Sequence, residues 1–202
     1  MVSPPGRSGS SPKARFKAKN TQGQTTNFKN IKAAFKRKKR LTCSKILTLL
    51  SKQKNFVGCF ASDRIQTLSF QHFPSYFLVN IQPHSKSGSH WLSLGIFRKK
   101  LEVFDPLGFD FLKWDLVPCH LLDFLHLQSE SREILKSHQI QPSNSKMCTF
   151  YCLLYVLLRD KYSLEKILSF FSKNCSLNDS KLYKILKKYF TLDGKRNNFK
   201  SK

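Results

Sequence analysis

Four residues have the side-chain types that nucleophilic catalysis by a thiol requires, and they occur in the order His90, Asp105, Gln141 and Cys148. A thiolate needs an imidazole to deprotonate it, an acceptor to orient the imidazole, and donors for the oxyanion of the tetrahedral intermediate. Cys148 would supply the thiol and His90 the imidazole. Asp105 would be the acceptor, and Gln141, seven residues before the cysteine, an amide donor. Taken singly, each also has an ordinary interpretation as a buried thiol, a strand-end histidine, a turn aspartate or a loop amide.

The cysteine stands at the head of a strongly apolar segment. Residues 147–158 are apolar on too many faces for a surface helix, which predicts a helix buried on all sides. Pro142 prevents an earlier start, and three cap-forming residues follow it: Ser143, Asn144 and Ser145. Cys148 is therefore expected in or just before the first turn, where unpaired N–H groups and the helix dipole favour an anion such as a thiolate.

The histidine and the aspartate belong to a predicted hairpin. Segments 90–97 and 101–105 have the composition of buried strands, and residues 98–100 would form the turn between them. His90 opens the first strand and Asp105 closes the second. In an antiparallel pair the start of one strand lies beside the end of the other, so the two side chains are expected to meet.

The remaining elements place this hairpin in a larger sheet. Predicted helices cover 43–54, 111–127 (interrupted or restarted at Pro118), 164–172 and 180–190, and further strands cover 76–81 and 134–141. Ser163 and Asp179 are the expected N-caps of the last two helices. Strands between helices without regular βαβ alternation indicate an α+β fold. We expect a mixed or antiparallel sheet against the buried central helix that carries Cys148, with flanking helices.

The charge is extreme and unevenly distributed. The net charge is +24 over 202 residues, and residues 1–40 contain twelve lysine or arginine residues and no acidic one. Because this segment is poor in apolar residues, we predict a disordered basic arm over 1–40, a folded domain over 41–193 and a basic tail over 194–202. The arm ends in a run typical of a nuclear-import signal or a phosphate-binding patch, which we assign to nucleic-acid contact: Lys36, Arg37, Lys38, Lys39 and Arg40. A solvated arm without a specific role is the alternative.

The cysteines argue against disulfides and metal. The six cysteines form no C-x-x-C pair and no His/Cys cluster with zinc-finger spacing. With 40% hydrophobic residues the chain can form a core without disulfides, so we expect reduced thiols and no bound metal. No apolar run long enough to cross a membrane occurs, and the N-terminus lacks the apolar core of a signal peptide. We expect a monomer that does not bind membranes.

Three segments contain the candidate residues: GSHW over 88–91, VFDPLGF over 103–109 and QPSNSKMC over 141–148. They resemble the adenovirus-type cysteine endopeptidases (adenain), within the wider clan of SUMO and ubiquitin-like-protein proteases. The run NFVGCF over 55–60 and the pair Val79-Asn80 also look like early segments of the family. The resemblance covers roughly residues 45–160.

The resemblance implies a function and a role for each residue. It implies cleavage of viral precursor proteins at Gly-rich sites during virion maturation, with DNA as an activator that agrees with the positive charge. By this resemblance Cys148 is the nucleophile, His90 its general base, and Gln141 with the Cys148 N–H the oxyanion site. Asp105 would orient His90; adenovirus members usually have Glu there and the SUMO-protease side Asp. The implied location is the host nucleus and the virion.

The sequence departs from the family in two places. The family normally has Gly after the nucleophile, whereas this chain has Thr149, whose β-branched side chain is expected to crowd the substrate backbone. The adenovirus enzyme is activated by a peptide disulfide-linked to a cysteine shortly before the glutamine. No cysteine lies between Cys119 and Cys148, so the sequence gives that linkage no support.

Two other functions remain open. One is a protease of SUMO or ubiquitin-like modifiers, which would use the same four residues. The other is a non-enzymatic, basic nucleic-acid-packaging protein on a degenerate protease fold, for which Thr149 is the supporting feature.

Overall fold

A five-stranded mixed sheet organises the structure, a computed structural model that describes residues 31–37, 40–110 and 117–192. In sheet order its strands are β1 (Phe56–Ala61), β2 (Ser75–Asn80), β3 (Trp91–Ile96), β4 (Lys100–Phe104) and β5 (Glu133–Lys136). The β2–β3 and β3–β4 pairs are antiparallel, whereas β1 and β5 add to the two edges in parallel. The α+β class and the mixed sheet are confirmed.

Helices surround the sheet. They are α1 (31–36), α2 (Cys43–Leu50), α3 (Cys119–Ser129), α4 (Cys148–Leu158), α5 (Leu164–Leu168) and α6 (Asn178–Leu192), with 3₁₀ turns at Ser62–Arg64 and Cys175–Leu177. The restart at Pro118 is confirmed, because this residue is the N-cap of α3. The preceding segment 111–116 lies outside the described residues, as do residues 1–30 and the predicted basic tail. None of the described helices combines the length and apolar composition that a membrane crossing requires.

Helix α4 lies at the centre of the core. All eleven of its residues are buried, which confirms the helix predicted from the apolar run. A fully buried Leu or Phe side chain stabilises the fold by roughly 1.5–3 kcal/mol, so a helix buried on every face is a main source of stability. The nucleophile candidate therefore begins a helix that is buried on every face.

Strand β3 is shaped to receive this helix. Its residues alternate between the two faces of the sheet, with Leu92 and Leu94 in the apolar layer on the α3 side. On the other face, two residues opposite α4 are small: Ser93 Oγ donates to the Cys152 carbonyl at 3.2 Å, and a Cβ on Gly95 would overlap the Tyr155 hydroxyl. The small residues let α4 approach the strand closely.

A buried ion pair fixes the far end of α4. The Glu102 side chain in β4 is fully buried, and Arg159, just after α4, binds its two oxygens with Nε and Nη2, each at 2.6 Å. The Tyr155 hydroxyl donates to the same carboxylate at 2.8 Å, and Lys100 lies 3.0 Å from it. Burial raises the pKa of Glu102, but the hydrogen bonds and charges of Arg159 and Lys100 outweigh it and hold that pKa below its usual value.

The folded part begins earlier than predicted. Residues 31–36 are helical, with Ile31 and Ala34 buried, although the whole range 1–40 was expected to be disordered. The Phe35 ring makes an edge contact with Phe150 of α4 at 4.9 Å between centroids. The prediction is wrong for this part of the arm. It was based on the high charge of the segment, and it overlooked a short apolar face with helical spacing between the lysines.

Other element boundaries also differ. Strand β1 was not predicted, since the first predicted strand covers residues 76–81. Strand β5 ends at Lys136 rather than at Gln141, because the following backbone leaves the sheet to bind the turn after β4. Ser163 is an N-cap, as predicted, whereas Asp179 lies inside α6 and accepts a hydrogen bond from Tyr151 at 2.9 Å.

Candidate active site

The predicted hairpin brings His90 and Asp105 together. His90 directly precedes β3 and Asp105 directly follows β4, in a register that pairs Ser93 with Phe104. The His90 Nε2 atom lies 2.7 Å from the Asp105 Oδ1 atom. His90 is 7% exposed and Asp105 1%, so this contact is protected from water. A carboxylate on one ring nitrogen fixes both the tautomer and the orientation of an imidazole.

Asp105 also holds the turn in which it lies. Its Oδ1 accepts from the Leu107 N–H at 2.9 Å, and its Oδ2 accepts from the Phe109 N–H at 3.2 Å. The Phe109 ring in turn packs edge-on against His90, with 5.8 Å between centroids. The turn amides hold the carboxylate toward the histidine, so the turn role and the predicted role in orienting His90 are compatible.

Cys148 begins α4 and is 1% exposed. Its thiol lies close enough to His90 to contribute to the raised pKa of that ring. Since Asp105 occupies Nε2, the nitrogen left for the thiol is Nδ1. The structure thus places the predicted thiol, imidazole and carboxylate near one another.

The start of α4 differs from the predicted cap. Met147 is the N-cap, and among the described residues no side chain caps this helix. Ser145 instead accepts from the Met147 N–H at 3.2 Å. Cys148 thus lies at the N-terminal end of a helix without a side-chain cap, where the helix dipole favours negative charge.

The surroundings of His90 favour its charged form. Burial by itself lowers the pKa of His90, but hydrogen bonds to Asp105 and Cys148, with the negative charges of both, raise it to about 9. This direction favours the protonated ring at neutral pH. A protonated ring beside the sulfur is the partner that a thiolate requires.

Gln141 lies beside this site, but its amide has a local partner. The side chain is 1% exposed, and Nε2 donates to the Ser145 carbonyl at 2.8 Å. Within the described residues, Oε1 is buried without a hydrogen-bond partner. The second N–H of the amide is the group available as an oxyanion donor. A direct contact between Gln141 and the thiol does not occur among the described hydrogen bonds, so the oxyanion role remains a prediction.

Two residues that sequence reasoning missed hold the site loops together. The Ser137 Oγ accepts from the Asp105 N–H at 2.8 Å and donates to the Asp105 carbonyl at 2.7 Å. The Pro106 carbonyl accepts from the N–H groups of Ile140, at 3.0 Å, and Gln141, at 2.8 Å. These contacts bind the loop that leads to Cys148 onto the turn of Asp105. A lone serine and a prolyl carbonyl give no signal in the sequence.

Thr149 has an internal hydrogen-bond partner. Its side chain is 0% exposed, and its Oγ1 accepts from the Leu41 N–H at 3.0 Å. Cys148 is almost equally buried, at 1%, so burial does not test the expected crowding of a substrate backbone, which stays a prediction.

The candidate nucleic-acid residues are only partly described. Lys36 and Arg37 are exposed, the exposed Arg40 donates to the Gly88 carbonyl at 3.3 Å, and Lys38 and Lys39 lie outside the described residues. A cleft of about 930 Å³ opens between α1, α6 and the loop before Cys148. Three lysines line it: Lys32, Lys36 and Lys184.

One group of potential metal ligands is present in the described ranges, and it does not include Cys148, His90 or Asp105. Cys119, His120 and Asp123 at the start of α3 bring their ligand atoms within 4.8 Å of one another. Asp123 already accepts from Gln66 at 3.3 Å. No catalytic candidate belongs to this group.

Comparisons with known proteins show similarity in structure only. No protein-family model and no curated protein matches the chain. Similar solved structures include the SUMO protease Ulp1 with its catalytic cysteine oxidised to a sulfinic acid. It has 13% identity and a TM-score of 0.41, covering 86% of this chain and 98% of that one. The ASFV pS273R protease has 16% identity and a TM-score of 0.41, covering 73% and 66% of the two chains.

A third similar structure is AvrA, with 15% identity and a TM-score of 0.42, covering 82% of this chain and 67% of that one. At these identities and TM-scores the similarity gives no basis for transferring an activity. None of the three is an adenovirus enzyme, so the adenovirus-type resemblance also remains a prediction. Any function has to follow from the geometry of the site.

Proposed function

We propose that this chain is a cysteine endopeptidase in which Cys148 is the nucleophile and His90 its acid–base partner. The observation that carries the proposal is the 2.7 Å contact of Asp105 with His90, with the Cys148 thiol, at the start of α4, close enough to His90 to raise the pKa of the ring. Three residues far apart in sequence meet with a carboxylate 2.7 Å from the outer ring nitrogen. This arrangement has the geometry of a thiol activated by an oriented imidazole.

Acylation begins from the thiolate–imidazolium pair. The Cys148 sulfur attacks the scissile carbonyl carbon, and the π electrons of the C=O bond move to the oxygen. The Cys148 N–H and the free N–H of Gln141 would stabilise the resulting oxyanion. As the oxyanion collapses, the C–N bond breaks and His90 gives its proton to the departing amine. The enzyme is left as a thioester with a neutral imidazole.

Deacylation restores the starting state. His90 takes a proton from a water molecule as that water attacks the thioester carbonyl. When the second tetrahedral intermediate collapses, the C–S bond breaks and the carboxylic acid product leaves. The sulfur departs as a thiolate beside the imidazolium, so the resting ion pair is formed again. Asp105 keeps the ring oriented in both halves of the cycle.

For the substrate, we propose Gly-rich sites in viral precursor proteins, with DNA as an associated polyanion. The first part follows the resemblance in the three segments around His90, Asp105 and Cys148. The second is supported by the net charge of +24 and by the three lysines that line the cleft next to the loop before Cys148. The proposed setting is the host nucleus and the virion.

Cleavage of SUMO or ubiquitin-like conjugates is the second candidate. The observation that favours it is the carboxylate on His90, which is Asp105 as on the SUMO-protease side of the clan. Both candidates share the chemistry described above. Initial rates on a Gly-Gly isopeptide conjugate and on capsid-type precursors, measured with one enzyme preparation, separate them.

The test of the proposal compares two cysteines of α4. Cys148→Ala should reduce cleavage of a Leu-X-Gly-Gly peptide to background, with the circular dichroism spectrum unchanged. Cys152→Ala is the matched control, because this thiol lies one turn later, is fully buried and donates to the Trp91 carbonyl at 3.3 Å. It should retain activity. Undiminished cleavage by Cys148→Ala would remove the proposal.

Labelling addresses the non-enzymatic alternative. Iodoacetamide should modify Cys148 faster than the buried Cys152 at neutral pH, with the sites identified by peptide mass spectrometry. An inert Cys148 in the folded protein, together with tight DNA binding, would support the packaging protein instead.

A further inference from the structure

Two adjacent residues in front of α2 contact both halves of the candidate active site. The Leu41 N–H donates to Thr149 Oγ1 at 3.0 Å, next to the nucleophile in sequence. The Arg40 guanidinium donates through Nη1 to the Gly88 carbonyl at 3.3 Å, two residues before His90. Residues 40 and 41 thus connect the loop that carries the base with the helix that carries the thiol.

The Leu41 contact is a buried one. Leu41 is 3% exposed and Thr149 is 0% exposed. A buried backbone N–H that loses its acceptor is destabilising, so the fold favours keeping this pair together. The Arg40 contact lies at the surface and is correspondingly weaker.

Helix α1 holds this connection in place from the other side. Phe35 contacts Phe150 of α4 at 4.9 Å and Tyr183 of α6 at 5.0 Å between ring centroids. Ile31 and Ala34 are buried in the same core. Residues 40 and 41 therefore follow a helix that is seated on the core, rather than a free end.

The position of this connection matters for the chemistry. Cys148 and His90 belong to different elements, and the distance between them depends on how the start of α4 sits against the end of the His90 loop. The contacts of β3 with α4 through Ser93 and Cys152 lie one turn deeper. A misplacement of about 1 Å between reacting groups can cost roughly a hundredfold in rate.

We propose that residues 40 and 41 form a clip that sets the spacing between Cys148 and His90, with Thr149 and Arg40 as positioning residues. This inference rests on the proposed function for its meaning in catalysis. It assigns to the residue after the nucleophile a use that the sequence pattern did not indicate. The Thr149 hydroxyl accepts the Leu41 N–H and thereby fixes the first turn of α4.

The test uses full-length variants at position 149. Thr149→Val keeps the shape but removes the acceptor, and Thr149→Ser keeps the acceptor. For Thr149→Val we expect kcat to fall roughly tenfold or more while KM changes less than twofold. The alkaline limb of kcat/KM should move to lower pH, because His90 loses part of its contact with Cys148. Thr149→Ser should restore both values.

A control separates positioning from general destabilisation. Tyr151→Phe removes one hydrogen bond from the same helix, the contact with Asp179, without touching the clip. It should lower the melting temperature and leave kcat and the pH profile unchanged. If Thr149→Val behaves like Tyr151→Phe in these kinetic measurements, the clip is overturned.

Alkylation of Cys148 keeps this test independent of peptidase activity. The rate of iodoacetamide modification at neutral pH should fall severalfold in Thr149→Val and less in Arg40→Ala, and it should not change in Lys45→Ala, an exposed residue of α2. If the wild type cleaves no peptide but these rates differ as expected, the proposed function fails and the clip remains. Equal alkylation rates in wild type and Thr149→Val overturn the clip, whatever the peptidase activity.

Discussion

His90 Nε2 and Asp105 Oδ1 lie 2.7 Å apart, and the two residues occupy the ends of adjacent antiparallel strands. The contact places a negative charge on the side of the ring away from the thiol. Together with Cys148 it overcomes the effect of burial and raises the pKa of His90 to about 9. The proton that the leaving amine requires is therefore held on the ring through neutral pH.

Replacing Asp105 with Asn should test the effect of the carboxylate charge on the pKa of His90. Asn cannot supply the charge that raises the pKa of His90, so the alkaline limb of kcat/KM, expected near pH 9, should move to lower pH. Because general acid–base catalysis contributes roughly 10²–10⁴-fold, kcat/KM should fall within that range. The measurement is a pH–rate profile of peptide cleavage. An Asp105→Asn profile that coincides with the wild type would contradict the role given to the carboxylate.

Gln141 should affect kcat of peptide cleavage and leave the reactivity of the Cys148 thiol unchanged. Gln141→Ala removes the proposed oxyanion donor, and loss of one such donor typically lowers kcat by roughly 10²–10³. The rate of Cys148 alkylation should change little, since alkylation forms no oxyanion. Gln139→Ala is the neighbouring control, because its amide contacts the Gln141 carbonyl and Ser143 rather than the site. Equal kcat values in Gln141→Ala and Gln139→Ala would rule out the donor role.

The ion pair at the far end of α4 should determine stability. Arg159→Met leaves the fully buried Glu102 carboxylate without its main partner, which typically costs about 3–5 kcal/mol. Lys136→Ala breaks the Asp110 pair at the surface, where both side chains are well exposed, and should cost about 1 kcal/mol or less. Urea denaturation measures both. A smaller loss for Arg159→Met than for Lys136→Ala would contradict the assignment.

The same pair should respond to acid. The pKa of Glu102 lies below its ordinary value of 4.5, so the pair stabilises the fold above that pH and the contribution is lost as pH falls through the lower, folded-state pKa. The difference in unfolding free energy between wild type and Arg159→Met should therefore shrink in strong acid.

Gly95 should be intolerant of a side chain. In Gly95→Ala the new Cβ would overlap the Tyr155 hydroxyl, and overpacking of this kind typically costs about 1–3 kcal/mol. Tyr155→Phe removes the overlapped oxygen. The double variant should therefore lose less stability than the sum of the losses in the two single variants. Thermal melts of the wild type, both single variants and the double variant form this double-mutant cycle. Strict additivity would show that the two groups are not in contact.

DNA dependence should appear as a salt effect. If the basic cleft binds DNA, duplex DNA should increase activity at low ionic strength and lose its effect by a few hundred millimolar salt, because binding releases counterions. Replacing three lysines of the cleft, Lys32, Lys36 and Lys184, with Ala should lower the slope of log affinity against log salt by roughly 2–3. Activity that ignores both DNA and salt would contradict DNA association.

The hairpin and the central helix could be predicted because each depends on local pattern. Two apolar segments separated by Arg98–Lys100 fix a register, and that register is sufficient to bring His90 beside Asp105. The run from 147 to 158 is apolar on every face, so its burial follows from its composition. These features required no knowledge of distant contacts.

The contacts between elements could not be predicted. Ser137 binds the backbone of Asp105 across more than thirty residues, and Thr149 binds Leu41 across more than one hundred. A hydroxyl that meets a backbone N–H so far away leaves no periodicity in the sequence. Helix α1 is an intermediate case, since Ile31, Ala34 and Phe35 have helical spacing that the charge of the arm obscured.

The burial of α4 also has a consequence for inactivation. Because every residue of this helix packs in the core, the sulfur of Cys148 cannot be displaced without opening the centre of the protein. On heating, activity and tertiary structure should therefore be lost in a single transition, without a partly unfolded intermediate that is still active.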